Sequence, residues 1–159
     1  MSIVAVLIML LAYMAYHKIK EHRSVNLVST SWHCETIKTG FASQAYSEYR
    51  SVLEKMTLTF TSRHHFSIRE FVQVTDIKGQ IDKLENFYFG TYDLEGDELA
   101  MKFETVKQNV THHDPVLNSD YKEYEGITIR YALSVTARNL FFYAKNRSEI
   151  FNLVCFSPS

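Results

Sequence analysis

Apolar and polar side chains alternate along most of this chain, and this period of two constrains the fold more than any other feature. Over 56–61 Met, Leu and Phe alternate with Thr, and over 99–104 Leu, Met and Phe alternate with Ala, Lys and Glu. Alternation rich in Thr, Phe and Tyr is typical of strands with one buried face. It predicts strands over 31–38, 55–62, 66–75, 86–93, 98–106, 127–136, 139–145 and 149–156.

Turn signals separate these runs and indicate how the strands connect. The segment Leu94–Asp97 (LEGD) joins two alternating runs, which predicts a tight antiparallel hairpin. About eight short strands in succession predict a mainly β fold, an antiparallel meander that closes most easily into a lipocalin-like β-barrel. The interior of such a barrel is either filled by side chains or holds one small ligand. A two-sheet sandwich is the alternative.

Two segments are candidates for short helices. Residues 42–53 place tyrosine and aliphatic side chains on one side of a helix. Ser119 is a candidate N-cap for a second helix over 120–125.

The chain opens with an uninterrupted apolar run, Ile3–Tyr16. A helix of this length covers about 21 Å, short of the ~30 Å hydrocarbon core, so a spanning helix must include the flanking residues. The run lacks the basic start and small-residue cleavage site of a signal peptide. We therefore predict a retained transmembrane anchor over 1–18, a polar stalk over 19–30 and one domain over 31–158, with a cleaved signal peptide as the alternative.

The side of the membrane on which the domain lies is indicated by two opposing features. Lys18, Lys20 and Arg23 follow the apolar run, and the positive-inside tendency would keep the domain in the cytoplasm. Against this, the two cysteines of the chain, Cys34 and Cys155, lie near the two ends of the domain. Such a pair predicts a disulfide between the first and last strands in an oxidising compartment. We favour export and the disulfide over the alternative of two buried thiols.

The composition excludes several classes of function. A net charge of −1 with 14% aromatic residues is typical neither of a disordered chain nor of an electrostatic nucleic-acid binder, so the partner should be apolar or protein. No nucleophile elbow, phosphate loop or dinucleotide fingerprint occurs, and we predict no enzymatic activity and no cofactor. The pairs His64-His65 and His112-His113 predict no metal site, because adjacent histidines on a strand point to opposite faces.

The aromatic and methionine side chains of the alternating runs are the best candidates for a ligand pocket. An apolar interior with a few polar groups is what a small-molecule site requires. If the opposite face of these strands points into the interior, Tyr88 and Tyr131 supply the polar contacts. An ordinary filled core is the alternative interpretation of the same residues. The predicted ligand-facing residues are Phe60, Phe87, Phe89, Met101 and Phe103, with Tyr88 and Tyr131 as the polar contacts.

The layout of the whole chain resembles the VtrC/ToxS-like family of bacterial periplasmic co-regulators. The resemblance is carried by a very short head, one apolar segment, the VSTSWHCETI sequence at the start of the domain and a meander of about 130 residues. Within it, Thr30-Ser31-Trp32, the hairpin sequence Gly90–Val106 and LFFYAKN over Leu140–Asn146 are the matching segments. The basic residues that follow the apolar segment depart from the family pattern.

The resemblance implies a function without catalysis. A VtrC-like protein is expected to lie in the inner membrane with its domain in the periplasm, in an obligate heterodimer with a VtrA/ToxR-like transmembrane transcription activator. The partner would complete the barrel, and its apolar chamber would receive a bile salt or similar steroid amphiphile and so control virulence genes for type III secretion. The alternative function is a membrane-tethered carrier or assembly factor that binds a lipid on its own.

Overall fold

The structure is a computed structural model that describes residues 6–14, 25–40, 47–136, 138–147 and 151–157. Each of the eight predicted strands is present in it. Each strand pairs antiparallel with its neighbours in sequence order, and the last pairs with the first, which closes the barrel. The predicted mainly β, antiparallel eight-stranded barrel is confirmed, and the sandwich alternative is wrong. The strands are β1 (Thr30–Thr39), β2 (Tyr49–Phe60), β3 (His65–Asp76), β4 (Ile81–Glu95), β5 (Glu98–Val110), β6 (Thr128–Val135), β7 (Asn139–Ala144) and β8 (Leu153–Phe156).

The predicted hairpin between β4 and β5 is confirmed. Leu94 pairs with Leu99 and Glu95 with Glu98, so the turn is tight. Gly96 adopts a φ of 67° in this turn, in the left-handed region that a side chain disfavours.

The described residues contain few helices, and the described part of each is short. Residues 6–14 form a helix, α1, and Pro115–Asp120 form α2, which continues into a 3₁₀ turn at Tyr121–Tyr124. The helix predicted after Ser119 therefore starts earlier, and Asp114 caps it by accepting a hydrogen bond from the Val116 amide at 2.8 Å. The Ser119 hydroxyl instead donates back to the Val116 carbonyl at 2.9 Å.

The helix predicted over 42–53 is wrong for its second half, because β2 begins at Tyr49. Val52 pairs with Lys38 of β1 on one side and with Val74 of β3 on the other. Two strand ladders outweigh the weak helical spacing of this segment. Residues 42–46 lie outside the described residues.

The predicted anchor over 1–18 and stalk over 19–30 lie partly outside the described residues. Within α1, the large apolar side chains are between 45% and 62% exposed. Among the residues that the structure describes, none of the helices has the length and apolarity needed to cross a membrane.

The barrel closes at a short seam between β1 and β8. Only His33 and Cys34 of β1 have register partners on β8, namely Phe156 and Cys155. The two cysteines are joined in a disulfide across this register pair, with their Cα atoms 4.0 Å apart. The predicted disulfide between the first and last strands is thereby confirmed.

The interior contains two separate apolar clusters. The larger cluster fills one end and the middle of the barrel with side chains such as Leu58, Phe60 and Phe142. The smaller one lies towards the other end, where α2 covers the barrel and contributes a leucine. Its members are Val52, Val74, Leu84 and Leu117.

Candidate ligand-binding site

Polar side chains interrupt the apolar interior between the two clusters. Every second residue of β2, β3 and β4 points inward. Each of these strands has a carboxyl or amide side chain at one inward position, and β4 has a tyrosine at the next one. We call these residues the polar layer: Glu54 on β2, Glu70 on β3, and Asn86 and Tyr88 on β4.

Glu70 lies at the centre of the polar layer. Its Oε2 accepts hydrogen bonds from the Asn86 amide at 3.0 Å and from the Tyr88 hydroxyl at 2.6 Å. No described residue donates a hydrogen bond to Oε1. Burial raises the pKa of the Glu70 carboxyl above its ordinary value and outweighs the two hydrogen bonds, which act in the opposite direction. The barrel interior therefore favours the uncharged form of this group.

Asn86 carries an unsatisfied acceptor. The residue is only 4% exposed, and its Oδ1 has no hydrogen-bond partner among the described residues. Its register neighbour on β5, Gln108, likewise has a buried Nε2 without a partner. An unpaired buried polar atom costs about 1–3 kcal/mol, so the interior of the barrel carries polar groups that its own side chains do not satisfy.

The mouth of the cavity carries the charged groups. The Lys38 ammonium contacts the Glu54 carboxylate at 2.5 Å, and the Thr36 hydroxyl donates to the same carboxylate at 2.8 Å. The lysine side chain is 43% exposed, whereas that of Glu54 is 17% exposed. The charge of Lys38 is therefore paired with that of Glu54 where the cavity meets solvent, and the exposed Glu123 also lines the cavity. The Glu70 carboxyl lies deeper.

A cavity of about 430 Å³ reaches from the mouth to the polar layer, between α2 and the strands. A narrower pocket of about 40 Å³ continues from the polar layer into the larger apolar cluster. Both are lined by Glu70 and Tyr88 and by Tyr124 of the 3₁₀ turn. The combined lining is mostly apolar with a few polar groups, which is the composition of small-molecule sites of this size.

Four of the predicted ligand-facing residues line the narrower pocket, namely Tyr88, Met101, Phe103 and Tyr131. Phe103 packs edge-on against Tyr88, with ring centroids 6.0 Å apart. Desolvation raises the pKa of both tyrosines above their ordinary values, so each hydroxyl stays a neutral hydrogen-bonding group. Phe60 is fully buried at the closed end of the barrel against Tyr92, away from the cavity.

Phe87 and Phe89 lie on the outer face of β4, and their predicted place in the interior is corrected. Phe89 is 41% exposed, and the guanidinium of Arg69 lies 5.8 Å from the centre of the Phe87 ring. Tyr88, between them, points inward, so the reversed parity that the sequence left open is the one adopted. Gly90 shares the inward face, where a Cβ would lie 1.9 Å from the Lys102 carbonyl oxygen.

The sequence interpretation missed the acidic members of the polar layer. Glu70 follows Ile68 by two positions and precedes Val72 by two, so it interrupts the apolar face of β3. Glu54 interrupts the apolar face of β2 in the same way, between Val52 and Met56. A carboxylate at an inward position of an otherwise apolar strand face was the available signal.

Asp82, His112 and His113 form a second cluster outside the cavity, with ligand atoms within 4.8 Å of one another. The two histidines lie in a loop and not on a strand, so the reason given for excluding a metal site does not apply to them. However, His112 Nδ1 accepts a hydrogen bond from the Asp114 amide at 2.9 Å, which places the proton of the neutral ring on Nε2. That nitrogen faces Asp82 at 3.2 Å and is a donor to the carboxylate, not a cation ligand.

A scan against models of known protein families finds no match to this chain, and a search of curated protein sequences finds none either. The resemblance to periplasmic co-regulators therefore stays a prediction.

Proposed function

We propose that this protein binds a steroid-like amphiphile of the bile-salt class inside a lipocalin-like barrel. In this proposal it acts as the accessory subunit of a membrane-bound transcription activator in the bacterial inner membrane. The observation that carries the proposal is the cavity above Glu70, which combines apolar side chains with the buried carboxyl of Glu70 and the hydroxyl of Tyr88. A packed core without a ligand would have no use for these groups.

The proposed location of the domain in the periplasm is supported by the disulfide between Cys34 and Cys155. Disulfides persist in oxidising compartments and are rare in the cytosol. The apolar run Ile3–Tyr16 supplies the proposed anchor.

The proposed partner is supported by unpaired strand edges beside the cavity. Within the described chain, Thr36–Thr39 of β1 pair only with β2, and Thr105–Val110 of β5 pair only with β4, because β6, β7 and β8 are short. Ile37, on the β1 edge, is 68% exposed. Unpaired edges of this kind are places where a strand of another protein can add to a sheet.

The competing proposal is a membrane-tethered carrier that binds an apolar molecule without a partner. It is favoured by the closure of the barrel within one chain, through the β1 and β8 pairing and the disulfide. A co-regulator of the proposed kind would need its partner to complete the binding chamber, whereas a carrier would not.

Calorimetric titration of the full-length protein in lipid nanodiscs with deoxycholate, below its micelle concentration, tests the binding. We expect saturable binding, weakened about tenfold by Phe103→Leu because this ring lines the pocket. Phe89→Leu is the matched control, since it makes the same change on the outer face and should leave the affinity unchanged. No heat with or without the partner, or equal effects of both variants, would remove the proposal.

The same titration separates the two proposed functions. We expect the affinity for deoxycholate to increase when the protein is co-purified with a winged-helix transcription activator that has one membrane segment and is encoded beside it. Full affinity without the activator, together with failure of the two proteins to co-purify, would favour the carrier.

A further inference from the structure

The chain enters the barrel at its closed end, where Phe60 ends β2. Leu27 is 1% exposed and belongs to the larger apolar cluster. Its carbonyl accepts hydrogen bonds from the Thr30 amide at 3.1 Å and from the Thr30 hydroxyl at 2.6 Å. The Ser29 amide donates to the Phe60 carbonyl at 2.9 Å. The chain is therefore fixed to the closed end from Leu27 onwards, inside the segment predicted as a stalk.

The cavity opens at the opposite end of the barrel. Its lining includes Lys38 near the end of β1, Glu54 near the start of β2 and Leu117 of α2. β3 has 12 residues and runs from the closed end to this open end. At about 3.3 Å per residue and a strand tilt of about 40°, such a strand spans about 30 Å along the barrel axis. The open end is therefore a full barrel length away from the point at which the chain enters.

The segment that connects the apolar run to the barrel is short compared with this distance. Eight residues, 17–24, separate Tyr16 from Val25, which packs against the larger apolar cluster. A flexible chain of this length spans about 16 Å on average and about 28 Å at full extension. Turning the open end towards the bilayer would therefore require the connecting segment to be stretched to its limit.

We propose that the closed end of the barrel faces the bilayer and that the cavity opens into the aqueous compartment. The cavity is then filled from water, by an amphiphile that dissolves as a monomer, and does not take up a long-chain lipid directly from the bilayer. Bile salts meet this requirement, whereas long-chain phospholipids do not. The inference rests on the proposed function, because it requires Ile3–Tyr16 to be a membrane anchor.

Energy transfer from a single fluorophore to acceptor lipids measures the orientation of the full-length protein in nanodiscs. Both cysteines of the chain lie in the disulfide, so one introduced cysteine is the only thiol to label. Asp97→Cys places the label in the exposed turn between β4 and β5 at the closed end. Lys78→Cys places it in the exposed turn between β3 and β4 at the open end.

We expect stronger energy transfer from position 97 than from position 78, because position 97 lies about 30 Å nearer to the bilayer. Equal or reversed transfer would overturn the inference and leave the proposed ligand binding intact. Absence of transfer from both positions would instead remove the proposed anchor.

Lengthening the connecting segment is the control for the cause of this orientation. Insertion of about twenty Gly and Ser residues after Arg23 gives a segment that spans about 30 Å on average, so the domain can turn. The difference in transfer between the two labels should then decrease. An unchanged difference would show that the length of the segment does not set the orientation, and would contradict the inference.

The route of loading is tested by the association rate of deoxycholate, followed by intrinsic protein fluorescence. Two nanodisc lipid mixtures that take up deoxycholate to different extents are compared at the same free concentration in water. We expect equal rates, since the cavity opens into water. A rate that follows the deoxycholate content of the bilayer would overturn the inference and leave the proposed binding intact. Absence of binding in both mixtures would overturn the proposed function but not the orientation measured by energy transfer.

Discussion

Removal of the Cys34–Cys155 disulfide is the perturbation with the largest calculable effect on this fold. The bond closes a loop with a sequence separation of 121. In the chain-entropy model a loop of this length stabilises the folded state by about 4.9 kcal/mol at 25 °C, from the constant and logarithmic contributions to the closure entropy. Measured effects are commonly smaller, so we expect a loss of about 3–5 kcal/mol.

Urea unfolding of the full-length protein, followed by circular dichroism, measures this loss. With an m-value of about 2 kcal/mol/M, the expected destabilisation lowers the midpoint by about 2 M. The double variant Cys34→Ala/Cys155→Ala should unfold at the midpoint of the reduced wild type, and a thiol reductant should not change it further. A loss below about 1 kcal/mol, or a reductant effect on the double variant, would refute the closure argument.

The structure also predicts where the reduced barrel opens. The seam between β1 and β8 has only two register pairs besides the bond itself, whereas β2 and β3 pair along almost their whole length. Amide hydrogens of β8 should therefore exchange much faster after reduction, while those of β3 keep most of their protection. Uniform loss of protection in both strands would show that the seam is not the weak point of the fold.

Two further substitutions test the packing and the electrostatics of the interior. Gly90→Ala places a Cβ 1.9 Å from the Lys102 carbonyl oxygen and 3.0 Å from the Phe66 ring, so the backbone must move. Thermal unfolding should show that the free energy of unfolding falls by about 3 kcal/mol. The control is Gly79→Ala, in an open turn with positive φ, which should lower it by about 1–2 kcal/mol. Equal losses in both would contradict the close approach. Burial raises the pKa of Glu70 above 4.5, so the folded state holds the proton more tightly than the unfolded chain. The contribution of Glu70 to stability should therefore be fully present below pH 4.5 and be lost as the pH rises towards the folded-state pKa, at about 1.4 kcal/mol per pH unit in that interval. Glu70→Gln should lack this slope in urea unfolding between pH 4 and 8, and parallel pH profiles would contradict the assignment.

The strands and their order could be predicted because their signal is local. A period of two identifies a strand from a few adjacent residues, and all eight predicted strands are present with shifted ends. The disulfide could be predicted for a related reason, since a meander that closes on itself brings its first and last strands together. The segment 49–53 could not be predicted, because the ladders that hold it as a strand are formed with β1 and β3 and are not encoded in its own spacing.

The face of β4 that points inward could not be read from alternation alone, because aromatic residues occupy both faces. Phe87, Tyr88 and Phe89 offer an apolar side chain at every position. The inward face is set by the pairing register with β5, which shifts at a bulge between Phe89 and Gly90. Gly90 was the residue that could have settled it, since only a glycine fits against the Lys102 carbonyl on the inward side.

The polar layer and the disulfide between Cys34 and Cys155 have opposite effects on the stability of this barrel. The polar layer weakens the fold, because the unpaired Asn86 oxygen alone costs about 1–3 kcal/mol and the buried Glu70 adds to it. A domain of this size has only about 5–15 kcal/mol of net stability, so these costs are a large part of the total. The closure term of about 5 kcal/mol from Cys34 and Cys155 is of the size needed to offset them. Occupation of the cavity by a ligand that satisfies the polar layer would stabilise the fold further, in proportion to the logarithm of its concentration.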